Sequence, residues 1–245
     1  MQDIAEQFER IKTSMDPELI DDFLIELGKN PQIEYVPFID YFLEKSSPEI
    51  VQQIKLNLIY DLGELGRLGI INQKYFEFLK ETFFNSDRWV RNEIIVALNK
   101  ILSQSKTQEN IFELLGYAII DEYIPLKISG LKTLLLFDKI PIYFYNKIFL
   151  NLHTTDSNVF SLLTSILQKF IMDEEFLFKI LEESDNYKIF KRFVIRSLLI
   201  SFFNSVLSLK SLENFRVLVM NSEWINKENF IHEIDIYEKI LLKTL

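Results

Sequence analysis

His153 and His232 are the only imidazoles in the 245-residue chain, and there is no cysteine. Zinc and iron sites gather imidazoles, thiolates and carboxylates at helical spacing so that the donors converge on one face. Neither histidine has a second imidazole within a helical turn, and His232-Glu233 is a single His-Glu pair. Both are expected to be loop or surface side chains. The lack of cysteine removes disulfides, thiolate metal sites and cysteine nucleophiles together, and it is compatible with a reducing, cytoplasmic setting. No cofactor or metal is implied by these residues.

Carboxylates stand side by side at Asp21-Asp22, Glu174-Glu175 and Glu182-Glu183. Neighbours one residue apart on a helix diverge by about 100° and do not share a proton as a catalytic dyad does. They are read as solvated faces. Gly63, Gly66 and Gly69 place half of the six glycines within seven residues. A phosphate-cradling loop needs a preceding strand and a following Lys-Ser or Lys-Thr, and both are missing. Helix termination and a tight turn account for the glycines instead. Trp89 and Trp224 are the only tryptophans. An exposed tryptophan would be a partner anchor, but Trp89 lies one position before an apolar stripe and is expected at a packing boundary.

Charge is segregated along the chain. The net charge is -9, yet residues 1–49 carry twelve acids and four bases, while residues 186–216 carry six bases and one acid. Lys188, Lys191, Arg192 and Arg196 recur at helical spacing in the second stretch. They form a candidate docking patch for an acidic protein, an acidic peptide or an anionic head group, to which Arg88 and Trp89 are added as partner-binding candidates. Neighbouring acids such as Glu182 and Glu183 would neutralise the patch locally. The acidic balance disfavours broad nucleic-acid binding. The apolar stretch Phe193–Leu209 contains Arg196 and Asn204 and is shorter than the roughly 20 residues that span a bilayer. It reads as a buried helix, with no integral membrane association, and the N-terminal residues lack the pattern of a signal peptide.

The elements that carry these residues are helical. Only six Gly and six Pro punctuate a chain with 48% hydrophobic residues, too few for a sheet-rich fold of this length. Counted from Asp87, Val90, Ile94, Ala97, Leu98 and Ile101 draw one apolar stripe. The same offsets give Val159, Leu163, Ile166, Leu167 and Phe170 from Asp156, and Leu126, Gly130, Thr133, Leu134 and Phe137 from Tyr123. Counting from Tyr187 gives Phe190, Val194, Ser197, Leu198 and Ser201. Pro48 and Asp16 begin two weaker matches, so the anchors are 32, 39, 36, 33 and 31 residues apart. That spacing holds two helices and two turns. Partner helices are expected over 3–14, 32–45, 71–84, 108–120, 141–152 and 173–183. A last pair over 209–220 and 226–244 is expected to lose the inward pattern, and Asp87 and Asp156 are expected N-caps.

The unit Asp87…Val90-Arg91…Ala97-Leu98, with Leu62-Gly63-Glu64-Leu65-Gly66 as the end of an earlier second helix, resembles the HEAT repeat. The resemblance implies an all-α solenoid of about six to seven antiparallel helix pairs over 1–245, acting as an interaction scaffold without catalytic residues. Members of that family often join neighbouring units through an Asp–Arg ladder. Here the Arg position holds Gln52, Arg91, Lys127 and Phe160, so no continuous ladder is expected. A helical-repeat family of iron hydroxylases is similar in architecture but carries several His-Glu pairs. The chain also broadly looks like the HEAT-like alkylpurine DNA glycosylases, which implies the alternative of a DNA-binding enzyme. That alternative requires a basic groove.

Overall fold

The computed structural model describes residues 2–70, 72–104, 111–204 and 208–243. Position 71, residues 108–110 and residue 244, each within an expected helix, lie outside the described residues, as do 205–207 of the apolar stretch. Fourteen α-helices and no strand are found among the described residues. The chain divides into two compact units, Met1–Leu114 and Leu115–Leu245.

The first unit holds α1 (Gln2–Ser14), α2 (Pro17–Lys29), α3 (Val36–Lys45), α4 (Pro48–Arg67), α5 (Gln73–Phe84) and α6 (Arg88–Leu102), and α7 (Ile111–Ile120) crosses the boundary. Each odd-numbered helix from α1 to α5 packs on the even-numbered helix that follows it, and α2, α4 and α6 pack in a row. The second unit continues with α8 (Ile124–Leu134), α9 (Tyr145–Leu150), α10 (Ser157–Phe170), α11 (Glu174–Glu183), α12 (Arg192–Phe202), α13 (Leu209–Asn221) and α14 (Lys227–Lys243). Here α8, α10, α12 and α14 form the row, and α11 packs on α13. The expected helices over 32–45 and 141–152 are each broken up by short 3-10 turns, at Ile33–Tyr35, Ile142–Phe144 and Asn151–His153.

Helix starts follow from capping chemistry. Asp87 accepts from the N–H groups of Trp89 and Val90 at 2.9 and 3.1 Å, and Asp156 from those of Asn158 and Val159 at 2.9 and 3.0 Å. Each satisfies two donors that have no partner inside the helix. The stripes counted from Asp87, Tyr123 and Asp156 are buried throughout.

Two helix starts differ from expectation. The cap of α4 is Ser47, whose hydroxyl accepts from Ile50 N–H at 3.4 Å, because Pro48 takes the first helical position where no N–H is needed. Of the positions counted from Pro48, Leu58, Ile59 and Leu62 are buried, whereas Val51 and Lys55 are half-buried and Ile54 takes the inward place expected of Lys55. The cap of α12 is Lys191, four residues after Tyr187, which instead belongs to a 3-10 turn at Asn186–Lys188. A slip of about one helical turn leaves the periodicity intact, so Leu198 and Ser201 stay buried. The last pair keeps its stripe: Phe230, Ile234, Tyr237 and Leu241 of α14 are buried. Phe193–Leu209 is not one buried helix. It ends as α12 at Phe202, with Phe193 and Ile200 49% and 40% exposed.

The glycine cluster does two jobs. Gly63 and Gly66 lie inside α4 against α6, where an added Cβ would stand 3.0 Å from the Cα of Ala97 and 2.2 Å from Cγ1 of Ile101. Gly69, at φ +84°, ends the helix, with Ile70 N–H bonded to Leu65 O at 3.0 Å.

Candidate functional site

The basic stretch begins where α11 ends. Asp185 takes a left-handed φ of 56°, which Asp tolerates, and turns the chain into the 3-10 segment. Phe190 is buried against Phe149 and Phe230, fixing the approach to α12. Beneath this turn Trp224 is sandwiched between Phe178 and Tyr187, both at 4.7 Å between centroids and nearly parallel. Asn226 Nδ2 donates to the carbonyl of Tyr187.

On this base the four cations have different surroundings. Arg196 Nε donates to Glu233 Oε2 at 2.9 Å, and the Glu233 side chain is only 1% exposed. The hydrogen bond to Glu233 and the charge of that carboxylate hold the guanidinium pKa above its ordinary value. Arg192 Nε donates to Asn229 Oδ1 at 3.1 Å, a neutral partner. Lys188 pairs with exposed Asp185 at 2.8 Å, which raises its pKa. Lys191 caps α12 through its backbone and its exposed ammonium has no ion pair among the described residues. The acids that reach the patch are thus Asp185 and Glu233, while Glu183 is paired with Lys179 at 3.6 Å.

The wider setting is more one-sided than those four residues. The adjacent helices α8, α10 and α12 contain Lys127, Lys132, Lys169, Arg192 and Arg196 and not one Asp or Glu. Lys169 donates to the carbonyl of Leu135 at the end of α8 at 2.5 Å, and Gln168 to that of Ser201 at 3.3 Å. Burial lowers the pKa of Lys127 against the opposing effect of Asp121 and Glu122. The outward residues of α10, Ser161 and Ser165, are small and polar. Along α12 and the turn before it the outcome is a cationic strip with exposed Ile189, Phe193 and Ile200 among its charges, bordered by α14, which carries Glu228, Glu233, Asp235 and Glu238.

Arg88 and Trp89 belong to the first unit, at the start of α6, and are not part of this strip. Trp89 is 61% exposed, contrary to the packing expected of it. It lies about 100° from Val90 on the helix, outside the arc that α6 buries. The Arg88 guanidinium stands 6.0 Å from its ring. Arg91 donates to Phe83 O at 3.1 Å within its own helix pair.

Both histidines are exposed, and no metal-binding group of three or more His, Cys, Asp or Glu side chains exists among the described residues. Asp235, one turn after His232, is held by Arg216 at 3.0 Å. No helix of the described residues is long and apolar enough to cross a membrane. A shallow depression beside Ala5, Glu6, Glu9, Arg10 and Thr13 is lined by α1 alone.

One unusual group escaped the sequence reading. Asp61 is 2% exposed, and neither carboxyl oxygen has a hydrogen-bond partner among the described residues. Burial, with repulsion from Glu64 added, pushes its pKa up to about 8. Nearby Glu64 is itself pushed up by burial, but Lys100 and Arg67, each at 2.8 Å, outweigh that and hold it below its ordinary value. Counted from Ser47, Asp61 falls at the offset filled by Ile101 and Phe170 in later stripes. An acid in a core position was the available signal, and counting from Pro48 concealed it. Its carboxyl stands where a side chain at Gly28 of α2 would lie.

No protein-family model matches the chain, and no curated protein or solved structure is significantly similar to it.

Proposed function

We propose that the chain is a cytoplasmic, non-catalytic scaffold of the HEAT-repeat kind, which holds an acidic protein or peptide segment on α8, α10 and α12 of its second unit. The observation that carries this reading is the adjacency of α8, α10 and α12, with five cations and no carboxylate among them. Exposed Phe193 and Ile200 among the cations favour a chain that offers both carboxylates and apolar side chains. A repeat array binds through extended area rather than through one cleft.

The test uses a fluorescein-labelled synthetic peptide rich in glutamate with leucine at every third or fourth position. Wild-type chain is compared with a Lys188→Ala/Lys191→Ala/Arg192→Ala variant that retains Arg196, because removing Arg196 would strand buried Glu233. Fluorescence anisotropy should show salt-sensitive binding that weakens at least several-fold in the variant. Unchanged affinity would remove this surface from consideration, and equal binding of a short duplex DNA would favour the nucleic-acid reading instead.

A further inference from the structure

The chain carries its own counterpart to the cationic strip. The outward side of α2 exposes Glu18, Asp22 and Glu26 together with Leu19 and Ile25, which are 46% and 42% exposed. Its one cation, Lys29, is tied to Glu26 at 2.8 Å. The outward side of α12 and the turn before it has the same composition with the sign reversed. Ile189, Phe193 and Ile200 are 63%, 49% and 40% exposed, among Lys188, Lys191, Arg192 and Arg196.

Both helices are anchored from behind. Ile20, Phe23, Leu24 and Leu27 fix α2, and Ile195, Leu198 and Leu199 fix α12, so each outward face is presented by a held element. Scattered exposed hydrophobics are ordinary on any protein. What distinguishes these two faces is that each offers apolar side chains of similar size among charges of opposite sign.

We propose that α2 of one copy docks on the α12 face of a second copy, head to tail. Neither face can pair with itself, since like charges would meet, so the contact is heterologous and a pair leaves one face of each kind unused, one on each copy. Two helix faces of about three turns bury less than the about 1,200 Å² of a standard stable interface. Association is therefore weak, concentration-dependent and lost at high salt. This inference rests on the reading of the α12 face as a docking surface for acidic, partly apolar partners, and it names one such partner.

The experiment is sedimentation velocity of the full chain over a concentration series at low and high salt. Two charge-reversed variants are made, Asp22→Lys/Glu26→Lys and Lys191→Glu/Arg192→Glu, with circular dichroism to establish that both remain folded. Wild-type chain should sediment faster with rising concentration at low salt, and each variant alone should stay monomeric. Mixed, the first variant still offers an intact α12 face and the second an intact α2 face, so a 1:1 dimer that grows no further is expected. A wild-type chain that stays monomeric at every concentration, or a mixture that recovers no dimer, would overturn the proposal. The labelled acidic peptide separates the two levels. Peptide binding without self-association would defeat this inference alone, and loss of both would defeat the docking surface as well.

Discussion

The carboxyl of Asp61 on α4 fills the space that a side chain at Gly28 on α2 would need. A Cβ added at Gly28 would stand 2.6 Å from Asp61 Oδ1 and 2.9 Å from Cε1 of Tyr60. The close approach of the two helices and the burial of an unpartnered acid are therefore one arrangement, with a missing side chain on one helix making room for a carboxyl on the other.

That acid makes stability depend on pH in the direction opposite to most carboxylates. Its pKa is about 8 in the folded chain and near the ordinary 3.8 when unfolded, so between these values the folded state holds a proton that the unfolded state has released. Stability contributed by this site falls as pH rises from about 4 to about 8. Asp61→Asn cannot ionise, and relative to wild type it should gain up to a few kcal/mol between pH 5 and pH 9. Urea titrations of both chains across that range measure the difference. A constant difference would show that Asp61 does not hold its proton.

Alanine at the close-contact glycines should destabilise despite its better helix propensity. Gly28→Ala and Gly66→Ala each force a Cβ into occupied space and should cost about 1–3 kcal/mol. The second should be the worse, since the backbone of Ile101 also stands 3.0 Å away. Gly69→Ala meets no neighbour but must hold φ near +84°, at a cost of about 1–2 kcal/mol. Chemical denaturation of the three variants gives the order.

Removing the caps should have separable effects. Asp87→Ala and Asp156→Ala each forfeit two hydrogen bonds to helix N–H groups and should lose about 1 kcal/mol apiece. The two positions belong to different units, so the double variant should lose the sum. A marked departure from additivity in thermal unfolding would mean that the units are energetically coupled.

The two ion pairs of the basic stretch should behave differently. Arg196→Ala leaves Glu233 buried without a partner and should lower Tm clearly, whereas Lys188→Ala breaks an exposed pair and should leave Tm nearly unchanged. Arg196→Ala/Glu233→Leu should regain much of the loss, because it removes the stranded charge along with its partner.

The sequence was most legible where cap and stripe agree. From Asp87 and Asp156 the inward side chains follow at fixed offsets, because a capping carboxylate fixes where the helix begins and the helix period then fixes the rest. Pro48 misled by a single residue, since proline announces the first turn while the cap lies just before it. Tyr187 misled by four, which periodicity cannot detect. Trp89 could not be placed by type, because its exposure depends on which arc α6 buries. The basic patch was visible as a run of residues. The helix-to-helix adjacency that extends it to Lys127, Lys132 and Lys169, and the pairing of Arg196 with Glu233, exist only once residues about 35 apart are brought together.

The two indoles report on different halves of the molecule. Trp89 belongs to the first unit and is largely exposed, while Trp224 is 3% exposed and clasped between Phe178 and Tyr187 in the second. Native emission should therefore contain a red-shifted component that iodide quenches and a blue-shifted one that it does not reach. Replacing either indole by phenylalanine leaves a chain with a single fluorophore. The two unfolding traces would then show whether the units melt in one transition or in two.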